Sequence, residues 1–170
     1  MTTAKPLANG YPIGAVLLRD SVANMTPGKY AYNQFRRGRL IYNLGSHGTT
    51  FGGSPLACAL GHHVLSRISD RRFVEHITET SGYLSSRLSM IPKWFPDILE
   101  SNIRGRGLIL GLGFKDEKDP ARVMTMARER GLFVLTAGKD AVRLVPSLTV
   151  KREDVDFCVD VLESCIGALR

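Results

Sequence analysis

The sequence predicts an α/β fold, and three observations support this prediction. Short apolar runs bounded by glycine or proline are typical of buried strands. Longer segments repeat apolar residues every three or four positions, which is typical of helices that pack on one face. Over the second half of the chain the two patterns follow one another as strand, helix, strand, strand, helix. The 170 residues, of which 44% are hydrophobic, are enough to bury one ordinary core, which we expect to be divided between two lobes.

The first lobe, residues 1–91, is predicted to open with a loop and a strand. Residues 4–14 are rich in proline and glycine, which favours a loop. The apolar run 15–18 that follows predicts a buried strand.

Two helices complete the first lobe. Ser54 and Pro55 supply an N-cap and a proline in the first helical turn, and the apolar spacing predicts a helix from there to about Ile68. A second amphipathic helix is predicted over about 70–90.

The second lobe, residues 97–170, begins after a connection bracketed by Pro92 and Pro96, which contains the single tryptophan, Trp94. Its predicted elements are a strand over 103–114, a helix over 120–130 that ends at Gly131, strands over 132–135 and 142–145, and a helix over 155–169.

The net charge of +7 raises the question of nucleic-acid binding. Four cations lie close together without an intervening acid, and three aromatic residues alternate with them; these residues are Lys29, Tyr30, Tyr32, Phe35, Arg36, Arg37 and Arg39. Such a mixture can bind single strands by phosphate contact and stacking. Since no RNA-binding motif accompanies it, a solvated loop is favoured, and no nucleic-acid partner is predicted.

The sequence also argues against membrane and metal sites. No apolar run approaches the roughly 18 residues that a membrane helix needs. The three cysteines, Cys58, Cys158 and Cys165, lack the spacing of metal ligands, so core filling is expected for the pair in the last helix. The first residues show no targeting signal.

Lys5 lies in an almost uncharged loop beside the predicted strand. Partial desolvation there would lower its pKa and help it to act as an imine-forming amine. A structural surface lysine is the alternative interpretation.

Residues 47–55, with the sequence HGTTFGGSP, combine glycines and hydroxyls directly before a helix. This arrangement favours a phosphate cradle at a helix N-terminus. It is not a P-loop, because no Gly-Lys-Ser/Thr ends it. A glycine turn with a helix cap is an equally good reading of the pattern.

Arg143 is a single cation within an apolar strand, on the face opposite Val142 and Leu144. An arginine in this position can bind a carboxylate through two parallel hydrogen bonds. The alternative is an ordinary solvent-facing strand residue.

Four motifs in this order resemble the class III aminotransferases that use pyridoxal phosphate (PLP), in the acetylornithine and ornithine branch. They occupy residues 4–15, 47–59, 103–108 and 142–148, and the resemblance covers nearly the whole chain except 27–45. It implies PLP-dependent transferase fold type I, with the end of the large domain over 1–91 and the small C-terminal domain over 97–170.

The resemblance also implies roles for single residues. Lys5 would form the Schiff base with PLP and carry the proton between substrate and cofactor. Thr50 would bind the cofactor phosphate across the interface of a homodimer, and Thr49 would lie near the substrate. Arg143 would hold the α-carboxylate of 2-oxoglutarate or glutamate.

The implied reaction moves the δ-amino group of N-acetylornithine to 2-oxoglutarate by a ping-pong mechanism, in arginine biosynthesis. The sequence of residues 53–59, GSPLACA, is similar to that of fungal members of the family. This similarity implies a location in the mitochondrial matrix, although this chain shows no targeting segment.

Two departures from the family pattern shape the expected activity. The upstream groups that stack on PLP and hold its ring nitrogen are not found in this sequence, so the chain made alone is expected to be nearly inactive. A basic segment over 29–43 resembles an insertion before Thr50, where it would disturb the phosphate contact.

Three rival functions remain. Ornithine or 4-aminobutyrate aminotransferases share these motifs. A non-catalytic fragment or a subunit that pairs with an intact protomer is an alternative of another class. A basic binding module built on residues 29–39 is the third.

Overall fold

The chain is described by a computed structural model over residues 1–17, 50 and 52–170. These residues form two compact units, Met1–Asp70 and Arg71–Arg170. Helices and β-sheets occur in both units, so the predicted mixed α/β class is confirmed.

The first unit contains a two-stranded antiparallel sheet of β1 (Thr2–Thr3) and β2 (Ala15–Val16), a 3₁₀ helix (Lys5–Ala8) and the helix α1 (Pro55–Ile68). The predicted helix from Ser54 to Ile68 is confirmed. The predicted burial of the strand was wrong, because Val16 and Leu17 are each about half exposed.

The 3₁₀ helix packs against α1 at a glycine. The Cβ position of Gly61 lies 3.6 Å from Ile13 Cδ1 and 3.8 Å from the carbonyl oxygen of Leu7, which are ordinary van der Waals distances, so the loop residues contact α1 directly here. Ala8 and Ala57 are buried on either side of the contact.

The second unit contains four helices and one sheet. The helices are α2 (Arg71–Leu88), α3 (Ile91–Trp94), α4 (Asp119–Glu129) and α5 (Arg152–Gly167). The strands are β3 (Arg104–Arg106), β4 (Ile109–Gly113), β5 (Leu135–Ala137) and β6 (Ala141–Leu144). All neighbouring strands are antiparallel, in the order β3-β4-β6-β5.

Alternation along the strands gives this sheet two different faces. The side chains of Leu110, Leu112, Val142 and Leu144 are buried in the core, where they meet residues of α2, α4 and α5. Helix α4 contacts β5 and β6, and α5 packs on α2 and α4. The opposite side, which we call the open face, bears Arg104, Arg106, Ile109, Gly111, Gly113, Arg143 and Leu135.

The single strand predicted over 103–114 was wrong, because β3 and β4 form a hairpin. The chain reverses at Gly107, which has φ +62°, while Gly105 within β3 has φ +110°. Both values lie in the region that favours glycine. The strand predicted over 132–135 is shifted to β5, and the helix predicted to end at Gly131 is confirmed as α4.

The compact units do not divide at the predicted connection. Residues 92–96 lie inside the second unit, because Leu84 and Leu88 of α2 and Ile91 of α3 share one core cluster with α5. The assignment of residues 1–91 to the end of a larger domain stays a prediction.

The three cysteines differ in accessibility. Cys165 is fully buried in the core, as expected, Cys158 is partly buried beside it, and Cys58 on α1 is exposed. Burial raises the pKa of the Cys158 thiol to about 11, which leaves about 0.1% thiolate at pH 8.

Iodoacetamide at pH 8 is therefore expected to label Cys58 of the native chain at least about tenfold faster than Cys158. Mass spectrometry of tryptic peptides measures the three rates. In guanidinium chloride the rates should converge, and equal native rates for Cys58 and Cys158 would contradict the described packing.

Candidate functional site

Lys5 begins a tightly hydrogen-bonded turn. Pro6 lies in the first turn of the 3₁₀ helix, and the N–H of Gly10 donates to the carbonyl oxygen of Lys5 at 2.9 Å. Asn9 ends the helix in the left-handed conformation, with φ 51° and ψ 43°. Lys5 itself has φ +23°, an uncommon value for a residue with a side chain. The backbone of this lysine is therefore fixed by local geometry.

The β1–β2 ladder closes residues 4–14 into a loop, because Thr3 pairs with Ala15. Within this loop Lys5 is exposed, so the expected partial desolvation was wrong for the chain as described. An exposed amine on a fixed backbone is accessible to an aldehyde in solution.

The N-terminus of α1 is the second part of the site. Ser54 Oγ accepts a hydrogen bond from the N–H of Ala57 at 3.4 Å, and Pro55 occupies the first turn. Gly53 precedes them with φ +69°, and Thr50 is exposed. A helix N-terminus after a glycine turn carries partial positive charge and suits an anion such as a phosphate group. Thr49 lies outside the described residues, as does the basic segment over 29–43.

These two features fit two parts of PLP. The Lys5 amine suits the aldehyde carbon, and the start of α1 with Thr50 suits the phosphate. Both belong to the first compact unit, in which the 3₁₀ helix packs on α1.

Arg143 lies in the middle of the second unit's sheet. It pairs with Gly111 on β4 and with Leu135 on β5, and its neighbours Val142 and Leu144 are buried on the other face. The predicted orientation of Arg143 is confirmed. In the described part of the chain its exposed guanidinium makes no hydrogen bond or ion pair, so it is available to a carboxylate.

Sequence reasoning missed an ion-pair cluster beside this arginine. Arg104 Nη2 lies 2.7 Å from Glu100 Oε2 and 2.7 Å from Asp140 Oδ2, and Arg104 Nε donates to Glu100 at 3.1 Å. Glu100 lies just before β3. Asp140 lies just before β6, 36 residues after Arg104 in the sequence. The spacing of Glu100 and Arg104 is the only sequence signal, and it is more typical of a helix surface.

The cluster controls the titration of Asp140. The hydrogen bond from Arg104 holds the pKa of the Asp140 carboxyl below its usual value. The pair therefore contributes stability above about pH 4, the unfolded-state pKa, and loses it as pH falls through the lower folded-state pKa.

The described residues contain neither a metal-binding cluster nor a membrane-spanning helix. Among residues 1–17, 50 and 52–170, no group of three His, Cys, Asp or Glu side chains is arranged to hold a metal ion. None of the helices described in these ranges is long and apolar enough to cross a membrane.

Comparison with known proteins places these features in a family. The chain is 37% identical over 166 residues to the mitochondrial acetylornithine aminotransferase of Yarrowia lipolytica, covering 98% of this chain and 36% of the relative. It is 38% identical over 168 residues to that of Saccharomyces cerevisiae, covering 99% and 35%. The chain thus spans about a third of the length of these relatives.

Solved structures of aminotransferases also resemble this chain. An aminotransferase from Bacillus anthracis superposes with a TM-score of 0.76 at 26% identity, over 98% of this chain and 38% of the other. Lysine aminotransferase from M. tuberculosis in the internal aldimine form gives a TM-score of 0.62 at 26% identity, over 68% and 26%. The model of the family "Aminotransferase class-III" matches residues 1–166. The chain belongs to the class-III aminotransferase family.

Proposed function

We propose that this chain is part of a PLP-dependent enzyme that transfers the δ-amino group of N-acetylornithine to 2-oxoglutarate, in arginine biosynthesis. The observation that carries the proposal is the exposed Lys5 amine on a backbone fixed by the 3₁₀ turn and the β1–β2 ladder, within a segment matched by the family model. Both relatives described above are acetylornithine aminotransferases, which favours this substrate over ornithine or 4-aminobutyrate.

The first unit would hold the cofactor. PLP, when bound, supplies a ring that accepts the electrons released at the substrate carbon. Lys5 Nζ would bind the cofactor's aldehyde carbon and, when free, carry a proton to and from the substrate carbon that bears the amino group. Thr50 Oγ1 and the N–H groups at the start of α1 would bind the phosphate of the cofactor held by the other protomer, because they offer donors at the positive end of a helix.

The second unit would hold the substrate. Arg143 has no competing partner among the described residues, and its planar guanidinium can bind the α-carboxylate of 2-oxoglutarate or glutamate through two hydrogen bonds. Thr49 is proposed to lie near the substrate, on the strength of the family motif alone.

The relatives also support proposals for the oligomeric state and the cellular location. We propose a homodimer in which Thr50 acts across the interface, and a location in the mitochondrial matrix, since the relatives carry the word mitochondrial in their names. Because the relatives are about three times longer than this chain, we propose that turnover also needs groups outside these 170 residues.

A PLP titration followed by borohydride reduction tests the role of Lys5. The reduced adduct, located by peptide mapping, is expected mainly on Lys5 and should be lost in Lys5→Ala. This readout needs no turnover, so it applies to the chain as it stands.

Lys118→Ala is the matched control, because Lys118 is an exposed lysine just before α4, in the other unit. It should retain the adduct on Lys5. Equal labelling of many lysines, unchanged by Lys5→Ala, would contradict the proposed role.

A further inference from the structure

Three guanidinium groups, those of Arg104, Arg106 and Arg143, lie on the open face of the second unit's sheet, and among the described residues Arg104 is the one that is bound to carboxylates. Arg104 pairs with Gly111 on β4, and Gly111 pairs with Arg143 on β6, so the two arginines project from one row of the sheet on the same side. Arg104 is bound to two carboxylates, whereas Arg143 makes no hydrogen bond or ion pair in the described part of the chain. Arg104 and Arg143 therefore differ in whether carboxylates already occupy the guanidinium.

The Arg104 cluster lies over the backbone of Gly113. A Cβ atom at Gly113 would come within 2.8 Å of Glu100 Cδ and within 3.1 Å of Arg104 Nη2. Since Gly113 and Gly111 carry no side chains, no side chain of β4 at these two positions stands between the cluster and Arg143. The cluster contains two carboxylates and one guanidinium, so it carries a net charge of about −1 at neutral pH.

The strand register places this cluster near Arg143. Gly113 pairs with Ala141, two residues before Arg143, so Gly113 and Arg143 are diagonal neighbours, with Cα atoms about 8 Å apart at ordinary strand spacing. An extended arginine side chain covers most of that distance. A carboxylate released over Gly113 would therefore compete with any ligand for Arg143.

We propose that Arg104 is a positioning residue for Arg143: by binding Glu100 and Asp140 together, it prevents these carboxylates from occupying the guanidinium that receives the substrate carboxylate. This inference rests on the proposed function, because it takes Arg143 as the carboxylate-binding group.

The geometry of the cluster favours this role over simple surface pairing. Asp140 is held at the start of β6 by a second contact, since its carbonyl oxygen accepts a 2.7 Å hydrogen bond from the N–H of Phe114. Glu100 is held in the same way, through its N–H to the carbonyl oxygen of Gly113 at 2.9 Å. The backbones of both acids are thus held near the open face independently of Arg104, and within the described ranges Arg104 is the cation that pairs with their carboxylates.

The test is a titration of the full chain with 2-oxoglutarate, followed by the ¹⁵N NMR signals of the arginine Nε–Hε groups. Arg104→Met is expected to raise the Kd of 2-oxoglutarate at Arg143 about tenfold. Arg106→Met is the matched control, because it removes the same charge from the same strand and face; it should change Kd by less than about twofold. Arg104→Lys, which can bind only one of the two acids well, should fall between them.

Rescue separates competition from a merely structural role. Adding Glu100→Gln and Asp140→Asn to Arg104→Met removes the competing charges, so the Kd should return close to that of the wild type. A loss that these substitutions do not restore, or equal Kd values for Arg104→Met and Arg106→Met, would overturn the inference. Circular dichroism checks the fold, and Arg104→Lys supplies the comparison if Arg104→Met does not fold.

A separate variant tests the function on which the inference rests. Arg143→Met should abolish the 2-oxoglutarate shifts. If the wild type shows no such shifts, or if Arg143→Met keeps them, the proposed role of Arg143 fails and the inference fails with it. If Arg143→Met abolishes binding and Arg104→Met does not weaken it, only the inference fails.

Discussion

Replacement of Gly105 by alanine is expected to lower the free energy of unfolding of the chain by about 3 kcal/mol or more. A Cβ atom at this position would overlap the carbonyl oxygen of Ile109, which is backbone and cannot rotate away. The φ of +110° adds strain for any residue with a side chain. The β3–β4 hairpin would have to open to relieve both effects. Urea unfolding followed by circular dichroism measures the change.

Gly107→Ala is the control for this experiment. Gly107 also has a positive φ, +62°, but nothing lies within 4 Å of the Cβ position. Only the backbone strain remains, so a loss of about 1 kcal/mol is expected. Equal losses in the two variants would show that the contact with Ile109 does not determine the stability of the hairpin.

Leu162→Ala is expected to cost about 3 kcal/mol of unfolding free energy. Leu162 on α5 is fully buried in the core cluster of the second unit, where α5 packs on α2 and α4. The substitution removes three carbon atoms from a closely packed interior and leaves a cavity that the surrounding helices fill only in part. Chemical denaturation measures the loss, if the slope of the unfolding free energy against denaturant concentration is the same in both proteins.

Leu135→Ala provides the matched control, since it deletes the same atoms from a side chain that is 58% exposed on the open face. A change below about 1 kcal/mol is expected there. A similar loss at both positions would mean that the apolar core is not where the structure places it.

The helices of this fold could be predicted from sequence, because their signals are local. Ser54 and Pro55 mark the start of α1, and Gly131 marks the end of α4 with φ +81°. Each of these residues acts on its own turn of backbone, so one sequence is enough to read them.

The hairpin was not predicted, because the sequence around its turn fits more than one arrangement. Residues 104–107 alternate arginine and glycine, and residues 108–114 consist of apolar residues and glycines, a pattern that fits one bent strand as well as two short ones. Leu108, which lies in the turn, has a buried apolar side chain, whereas turn residues are usually polar. The composition therefore does not indicate a turn at this position. Only the pairing of Arg106 with Ile109 distinguishes the two arrangements.

The same contrast holds at the candidate site. The direction of Arg143 follows from strand alternation and was predicted correctly. The contact between Arg104 and Asp140 depends on the strand order β3-β4-β6, which places residues from distant parts of the sequence together. The exposure of Lys5 was missed for a related reason: loop composition does not determine which neighbours cover a side chain.

The apolar residues of the open face have a practical consequence for handling the chain in solution. Ile109 and Leu135 are both more than half exposed there, and Phe133 and Val145, just beyond the strands, are 83% and 57% exposed. Attraction between such surfaces is opposed by the net charge of +7, which keeps the molecules apart. Added salt screens that repulsion, and sulfate also strengthens apolar association. The chain should therefore remain dispersed in dilute buffer near neutral pH and self-associate reversibly as ammonium sulfate is added.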